Sequence, residues 1–268
     1  MQWEELSSKE HKAMVGKCGG VCLLPIGAIE KHGNHLPVGT DMFIGRAVTQ
    51  KAAEIEPAVV FPYYFFGQVS ECKHYAGCLS ASHEMLMASL LEMCDEIARN
   101  GYKKIIIVSS HGGNNCFVNF FAQKMPSLNK DYVVYTYTVW SLTDDRLKKI
   151  NDFTGLDHIG DHAGLSETSQ IMYLRPDLVH KEAQDPYAGG ERNMLKSLKS
   201  PEVFSGLTWY GDFPEHYAGD HTDASPELGK LVIDMYCENL CEVIRNVKAD
   251  NVTPALFKAY NENAANPL

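Results

Sequence analysis

Apolar residues gather along this chain in two alternating patterns. Continuous runs too short for helices fill residues 21–26, 59–61, 103–109 and 132–140, and the third contains the β-branched series Ile105, Ile106, Ile107 and Val108. A run with no polar face fits a parallel strand covered on both sides. Between these runs the period lengthens. Residues 41–56 put Met42, Ile44, Ala47, Val48, Ala52 and Ile55 on a helical stripe that stops at Pro57. Ser82 stands at the N-cap of a predicted helix over 83–100, with Leu86, Leu90, Leu91, Cys94, Ile97 and Ala98 on its inner side and Gly101 at its stop. A helix through Phe117, Phe120, Phe121 and Met125 follows, and another around Glu167 is halted by Arg175-Pro176. Ser225-Pro226-Glu227 opens a long one through Leu231, Ile233, Tyr236, Leu240, Val243 and Ile244. This alternation predicts an α/β fold with a mainly parallel sheet and helices on both faces, in one domain over 1–268. Residues 181–220 carry little regular signal but contain Gly189-Gly190, Trp209-Tyr210-Gly211 and Pro214, which reads as a lid or a contact with another subunit.

The polar residues matter most where the apolar runs end. The first strand empties into Gly27-Ala28-Ile29-Glu30-Lys31-His32-Gly33-Asn34-His35, and ligands of open α/β sheets sit at such carboxyl ends. Glu30 and His32 are two apart, so an extended chain sends both side chains the same way. Asp41 can return to them across a Gly/Pro loop, from the first turn of its helix. Imidazole and carboxylate donors together suit a divalent cation such as zinc or manganese. A Glu-x-His pair alone also fits a polar loop that satisfies its own backbone. Further ionisable residues stand in similar positions: His111 at the exit of the third strand, before Gly112-Gly113, and His162 and Glu167 at the start of a helix. Ser70 and His74, in the polar loop after Phe66, and Trp140, at the exit of the fourth strand, are candidate substrate contacts. His35 reads as a hydrogen-bonded structural histidine, and Asn114 as a brace for the glycine turn.

Charge narrows the partners. The formal net charge of −10 leaves no basic cluster to displace phosphate counterions, so a small molecule is expected and nucleic acid is not. No apolar run is long enough to span a bilayer, and the first residues lack a basic leader region, so neither membrane insertion nor export is expected. The eight cysteines form no C-x-x-C pair and mostly lie in apolar segments, which fits free thiols in a reducing cytoplasm. No G-x-G-x-x-G or Walker sequence follows any strand, which argues against a nucleotide-binding domain.

Three stretches together resemble the creatininase (creatinine amidohydrolase) family: residues 25–41, Ser109-Ser110-His111-Gly112-Gly113-Asn114, and His162-Ala163-Gly164 through Glu167-Thr168-Ser169. They occur in the family's order and the likeness extends over roughly residues 20–245 by this reading. The resemblance implies a three-layer α/β/α sandwich, a binuclear metal site at the carboxyl edge of the sheet, and assembly as a homo-oligomer, often a hexamer. It assigns Glu30 and His111 to one divalent ion and His32 to the other, with Asp41 bridging; zinc and manganese are expected and iron is admissible. Creatinine-hydrolysing members carry an aromatic residue and a ligating glutamate after the histidine matching His111. This chain has Gly112-Gly113 there, and Glu167 is the candidate for the missing carboxylate. Those members also have a tryptophan where this chain has His158, so creatinine itself is not the expected substrate.

The implied reaction is hydrolysis of a cyclic amide or other non-peptide C–N bond. Two bridged cations would lower the pKa of a shared water from ~15.7 toward ~7, and His162 would carry the proton to the leaving amine. Glu167 is then either a ligand or the base. The resemblance also admits ring opening of a cyclic sugar ketone, and a non-catalytic protein whose ions only brace the loops is the alternative from another class.

Overall fold

The structure, a computed structural model, describes residues 1–157, 159, 162–183, 189–198 and 203–267. In chain order its main elements are α1 (Ser8–Lys17), β1 (Val21–Ile26), α2 (Thr40–Ile55), β2 (Val59–Val60), α3 (His83–Arg99), β3 (Lys104–Ser109), α4 (Asn114–Lys124), β4 (Val133–Thr138), α5 (Asp144–Thr154), α6 (Leu165–Leu174), α7 (Thr208–Asp212), α8 (Pro226–Ala249) and α9 (Val252–Ala265). The four strands pair in the order β2-β1-β3-β4, each pair parallel. Burial on both faces explains the continuous apolar runs. Along β1 and β3, Val21, Leu23, Ile106 and Val108 join one core cluster, while Cys22, Leu24, Ile26, Ile105 and Ile107 join the other. That alternation with a period of two divides the molecule into three layers, as expected.

The first core is closed by α2, α6 and α8, the second by α1, α3 and α4. Ser82 caps α3 as predicted, its hydroxyl accepting from the Met85 N–H at 3.2 Å. Helices α6 and α8 approach closely at Gly229, where a Cβ would stand 1.9 Å from the carbonyl oxygen of Ser169. A larger residue there would push α6 away from the sheet, and α6 carries Glu167.

Strand order places the site. Successive strands run from β1 to β2 on one side and then to β3 on the other, so the chain reverses direction of winding between β1 and β3. A crevice opens outside the carboxyl ends of strands at such a switch point. The segment after β1 carries Glu30 and His32, and the segment after β3 carries His111. No described helix is long and apolar enough to cross a membrane.

Candidate metal centre and the cavity beside it

Four segments bring their ionisable groups together at that crevice. Glu30, His32, Asp41 and His111 are all buried, between 0% and 5% exposed. Donor atoms of Glu30, Asp41 and His111 lie within 4.8 Å of one another, and so do those of His32, Asp41 and Glu167. Asp41 belongs to both sets. It sits in the first turn of α2, and its main-chain oxygen accepts from the Ser110 hydroxyl at 2.9 Å, which ties that turn to the exit of β3.

Hydrogen bonds to the backbone decide which imidazole nitrogens face this cluster. His111 donates Nε2–H to the carbonyl of Gln68 at 2.6 Å, which leaves Nδ1 facing the cluster, 2.8 Å from Oε1 of Glu30 and 3.1 Å from Oδ2 of Asp41. His32 donates Nδ1–H to the carbonyl of Glu30 at 3.2 Å. Its Nε2 then lies 3.2 Å from Oδ1 of Asp41 and 3.5 Å from Oε2 of Glu167. An imidazole nitrogen aimed at carboxylate oxygens needs a positive charge between them, either a proton or a metal cation. Neither Nε2 of His32 nor Oδ2 of Asp41 makes a well-formed hydrogen bond. The donor set therefore fits divalent cations, with protons as the competing occupants.

The ionisation of these groups expresses the same conflict. Burial alone would favour neutral His32, yet the charges of Glu167 and Asp41 outweigh it and hold its pKa at about 10. Burial likewise disfavours charged His111, and Glu30 and Asp41 reverse that, raising it well above the ordinary range. Glu30 is held well below the carboxylate range by His111 and His162 despite its burial. Glu167 goes the other way. Burial, with Asp41 and Glu30 nearby, pushes it up to about 7 against the pull of His32 and of the Ala163 N–H that donates to its Oε2 at 2.6 Å.

His162 donates Nε2–H to the carbonyl of Lys31 at 2.8 Å, and its Nδ1 stands 3.9 Å from Oε1 of Glu30. Burial and the neighbouring His32 hold it well below the usual imidazole range, so it is neutral. Its ring lies 4.2 Å from that of His32 and packs edge-on against Trp209 at 5.7 Å.

The cluster opens into a cavity of about 680 Å³ whose walls include Glu30, Asp41, His111, His162 and Glu167. The family model described as "Creatininase: Creatinine amidohydrolase" matches residues 4–244. The chain belongs to the creatininase family. The creatinine amidohydrolase of Pseudomonas putida is 29% identical over 255 residues, covering 90% of this chain and 95% of the relative. The 3-dehydro-scyllo-inosose hydrolase of Thermotoga maritima is 21% identical over 263 residues, covering 91% and 83%. A solved structure described as "Creatininase Mn" superposes with a TM-score of 0.76 at 22% identity, covering 93% of this chain and 99% of that one, which shows a shared fold.

Within the creatininase family, the missing glutamate of this chain has a steric counterpart. A Cβ at Gly113 would lie 2.5 Å from both the Gln68 carbonyl oxygen and Nε2 of His111, the two atoms of the bond that orients His111. Any side chain there disturbs that bond. Glu167 reaches the cluster from α6 instead, on the side of His32.

The substrate-contact expectations fare unequally. Trp140 lines the cavity and is 39% exposed at its rim. Ser70 and His74 are exposed and are not among its lining residues. The 3₁₀ turn Ser70–Cys72 sends successive side chains apart, so Glu71 reaches the cavity while Cys72 is buried and Ser70 faces outward. His74 rests on Tyr75, and its ring meets that of Tyr210 edge-on at 5.3 Å. His158 lies outside the described residues. His35 is structural, its Nε2 2.9 Å from Oγ1 of Thr168 and 3.1 Å from the carbonyl of Ala163. The Asn114 side chain does not bond to the glycine turn; it accepts from the Gln68 N–H at 3.0 Å and donates to the Gly27 carbonyl at 3.3 Å, which ties the start of α4 to the segments after β1 and Phe66.

Sequence reasoning missed His216. Its Nε2 is 2.8 Å from Oε2 of Glu30, and it is 3% exposed with φ +54°, a left-handed conformation that non-glycine residues rarely adopt. An imidazole within the aromatic 209–217 stretch is the one signal that pointed to it, and no periodicity distinguishes that stretch.

Proposed function

We propose that this creatininase-family hydrolase uses two divalent cations to cleave an amide or related non-peptide C–N bond. Glu30, Asp41 and His111 would hold one ion and His32, Asp41 and Glu167 the other, with zinc or manganese the best match to imidazole and carboxylate donors and iron admissible. The single observation that carries this reading is the pair of imidazole nitrogens, on His32 and His111, turned toward carboxylate oxygens in a buried site. When bound, such a pair of ions supplies an acidified water and polarises a carbonyl oxygen.

The chain's own groups do the rest. His162 is neutral, beside the cluster and on the cavity wall, so its Nδ1 can take up a proton and return it to the departing amine. Glu167 serves as a ligand through the edge it turns to His32, and the N–H of Ala163 fixes its Oε2. His216 fixes Glu30 by occupying one of its oxygens. We take the 1–268 chain as one domain, with residues 181–220 as a lid or oligomer contact, and a cytoplasmic homo-oligomer as its working state.

Creatinine is not the substrate we expect, because the aromatic–glutamate pair of creatinine-hydrolysing members is replaced by Gly112-Gly113. The Thermotoga maritima relative, whose name is that of a cyclic-ketone hydrolase, favours one second reading: ring opening of a cyclic sugar ketone. A screen of cyclic amides, formamides and cyclic ketones against metal-reconstituted protein separates the two. Turnover of amides with release of an amine supports our proposal, and turnover confined to ketones transfers the site to the second reading.

A further inference from the structure

The cavity beside the cluster has two unlike kinds of lining. One is the ionisable cluster. The other is aliphatic, Ile44, Val139, Leu142, Leu147 and Ile150, contributed by α2, by the segment after β4 and by α5. Its volume of about 680 Å³ falls in the roughly 300–1,000 Å³ range of pockets that enclose ligands larger than a single small ring. A compact polar ring bound at the cluster would leave aliphatic wall facing only water, which gains nothing from it.

A second observation comes from α6. Gln170 is 1% exposed and lines the cavity. Its Nε2 donates to the main-chain oxygen of Ser166 at 3.2 Å and lies 3.1 Å from the Ser166 hydroxyl oxygen. The carbonyl of Ser166 can only accept, so the amide orientation is fixed and Oε1 remains a buried acceptor without a partner. Gln170 is three residues beyond Glu167, and residues at that spacing are neighbours on a helix surface. An unsatisfied acceptor therefore stands one helical turn from a metal-side carboxylate, on the wall of the same chamber. A buried acceptor of this kind is costly unless something donates to it.

We propose that the substrate is an amide bearing an aliphatic or similar apolar substituent of several carbons, which fills the chamber walled by Ile44, Val139, Leu142, Leu147 and Ile150, and an N–H that donates to Oε1 of Gln170. This rests on the metal-dependent reading of the cluster and adds the substrate class to it. The apolar group supplies affinity through burial, and Gln170 sets the amide's orientation beside Glu167 and His162.

Straight-chain hydroxamates from acetohydroxamate to octanohydroxamate, titrated calorimetrically into manganese-loaded and chelator-stripped protein, test both levels separately. Metal-dependent binding that tightens roughly three- to fourfold per added methylene until the chamber is full is the expected result. In Leu147→Asp, a change at the exposed rim, that dependence on chain length flattens. N-methylation of hexanohydroxamate weakens binding to the wild type about tenfold or more, and much less in Gln170→Met. Metal-dependent binding with no gain along the series, or a gain that survives Leu147→Asp, overturns the chamber assignment alone. An equal N-methyl penalty in Gln170→Met overturns the role of Gln170. Binding that ignores the metal altogether overturns the reading of the cluster, and the substrate class falls with it.

Discussion

Trp209 donates its indole N–H to Nδ1 of His216 at 3.2 Å, and that bond settles the tautomer of the imidazole. With Nδ1 accepting, the proton resides on Nε2 and is donated to Oε2 of Glu30 at 2.8 Å. The other oxygen of Glu30 is then the one turned to His111, at 2.8 Å. An aromatic residue of α7 thus governs how a carboxylate beyond the end of β1 presents itself to the cluster.

Removing this support should loosen the ions without dismantling the fold. Partners that orient a ligand typically contribute 10–100-fold in metal affinity or activity. His216→Ala is expected to weaken retention of the ion we propose for Glu30, Asp41 and His111 by about that factor, and Trp209→Phe by less, because His216 keeps its contact with Glu30. Competition against a chromophoric chelator measures both. Unaltered affinity in His216→Ala would show that Glu30 needs no such support.

Glu167 and Gly113 make a paired prediction. In Glu167→Gln the set His32–Asp41 lacks its third donor, so the protein should retain about one ion per chain instead of two. Adding Gly113→Glu should not restore the second, since its Cβ would enter the His111–Gln68 hydrogen bond. Metal analysis of the single and double variants checks this, and recovery of the second ion in the double variant would mean that the loop accommodates the glutamate.

A separate pair of histidines sets a pH dependence. The rings of His35 and His221 stack at 3.8 Å, and Tyr217 lies 2.7 Å from Nδ1 of His221. Burial and the neighbouring His221 hold His35 down to about 4, and burial lowers His221 as well. In the unfolded chain both titrate near ~6.5. Between that value and about 4 the unfolded state binds protons that the folded state refuses, so this contribution to stability is complete above ~6.5 and declines as the pH falls. His35 alone should account for about 1–2 kcal/mol between pH 7.5 and 5. His221→Phe keeps a stacked ring but removes one titrating group and its effect on His35. The difference in urea stability between wild type and this variant should therefore shrink on acidification, and a difference that grows would give the pair the opposite sign.

Much of this was written in the sequence. The strands of the sheet were legible because both of their faces are buried, so the polarity of the chain switches off for six residues at a time in β1 and β3. Glu30, His32, Asp41 and His111 were legible because they stand directly at strand exits or a helix start. Helices α1, α5 and α9 were not foreseen; among their residues only Met14 and Ile150 are buried, so their apolar positions stay largely at the surface. His216 escaped because its role depends on the chain folding back from a stretch 186 positions beyond Glu30. The outward turn of Ser70 followed from a 3₁₀ turn that one polar loop sequence does not reveal.

The account rests on Asp41 serving two cations at once, and metal content measures that directly. Wild-type protein reconstituted with manganese or zinc and freed of excess should hold two ions per chain by mass spectrometry, and Asp41→Ala, checked by circular dichroism to be folded, should hold none. Retention of both ions by the folded Asp41→Ala protein would contradict the shared site.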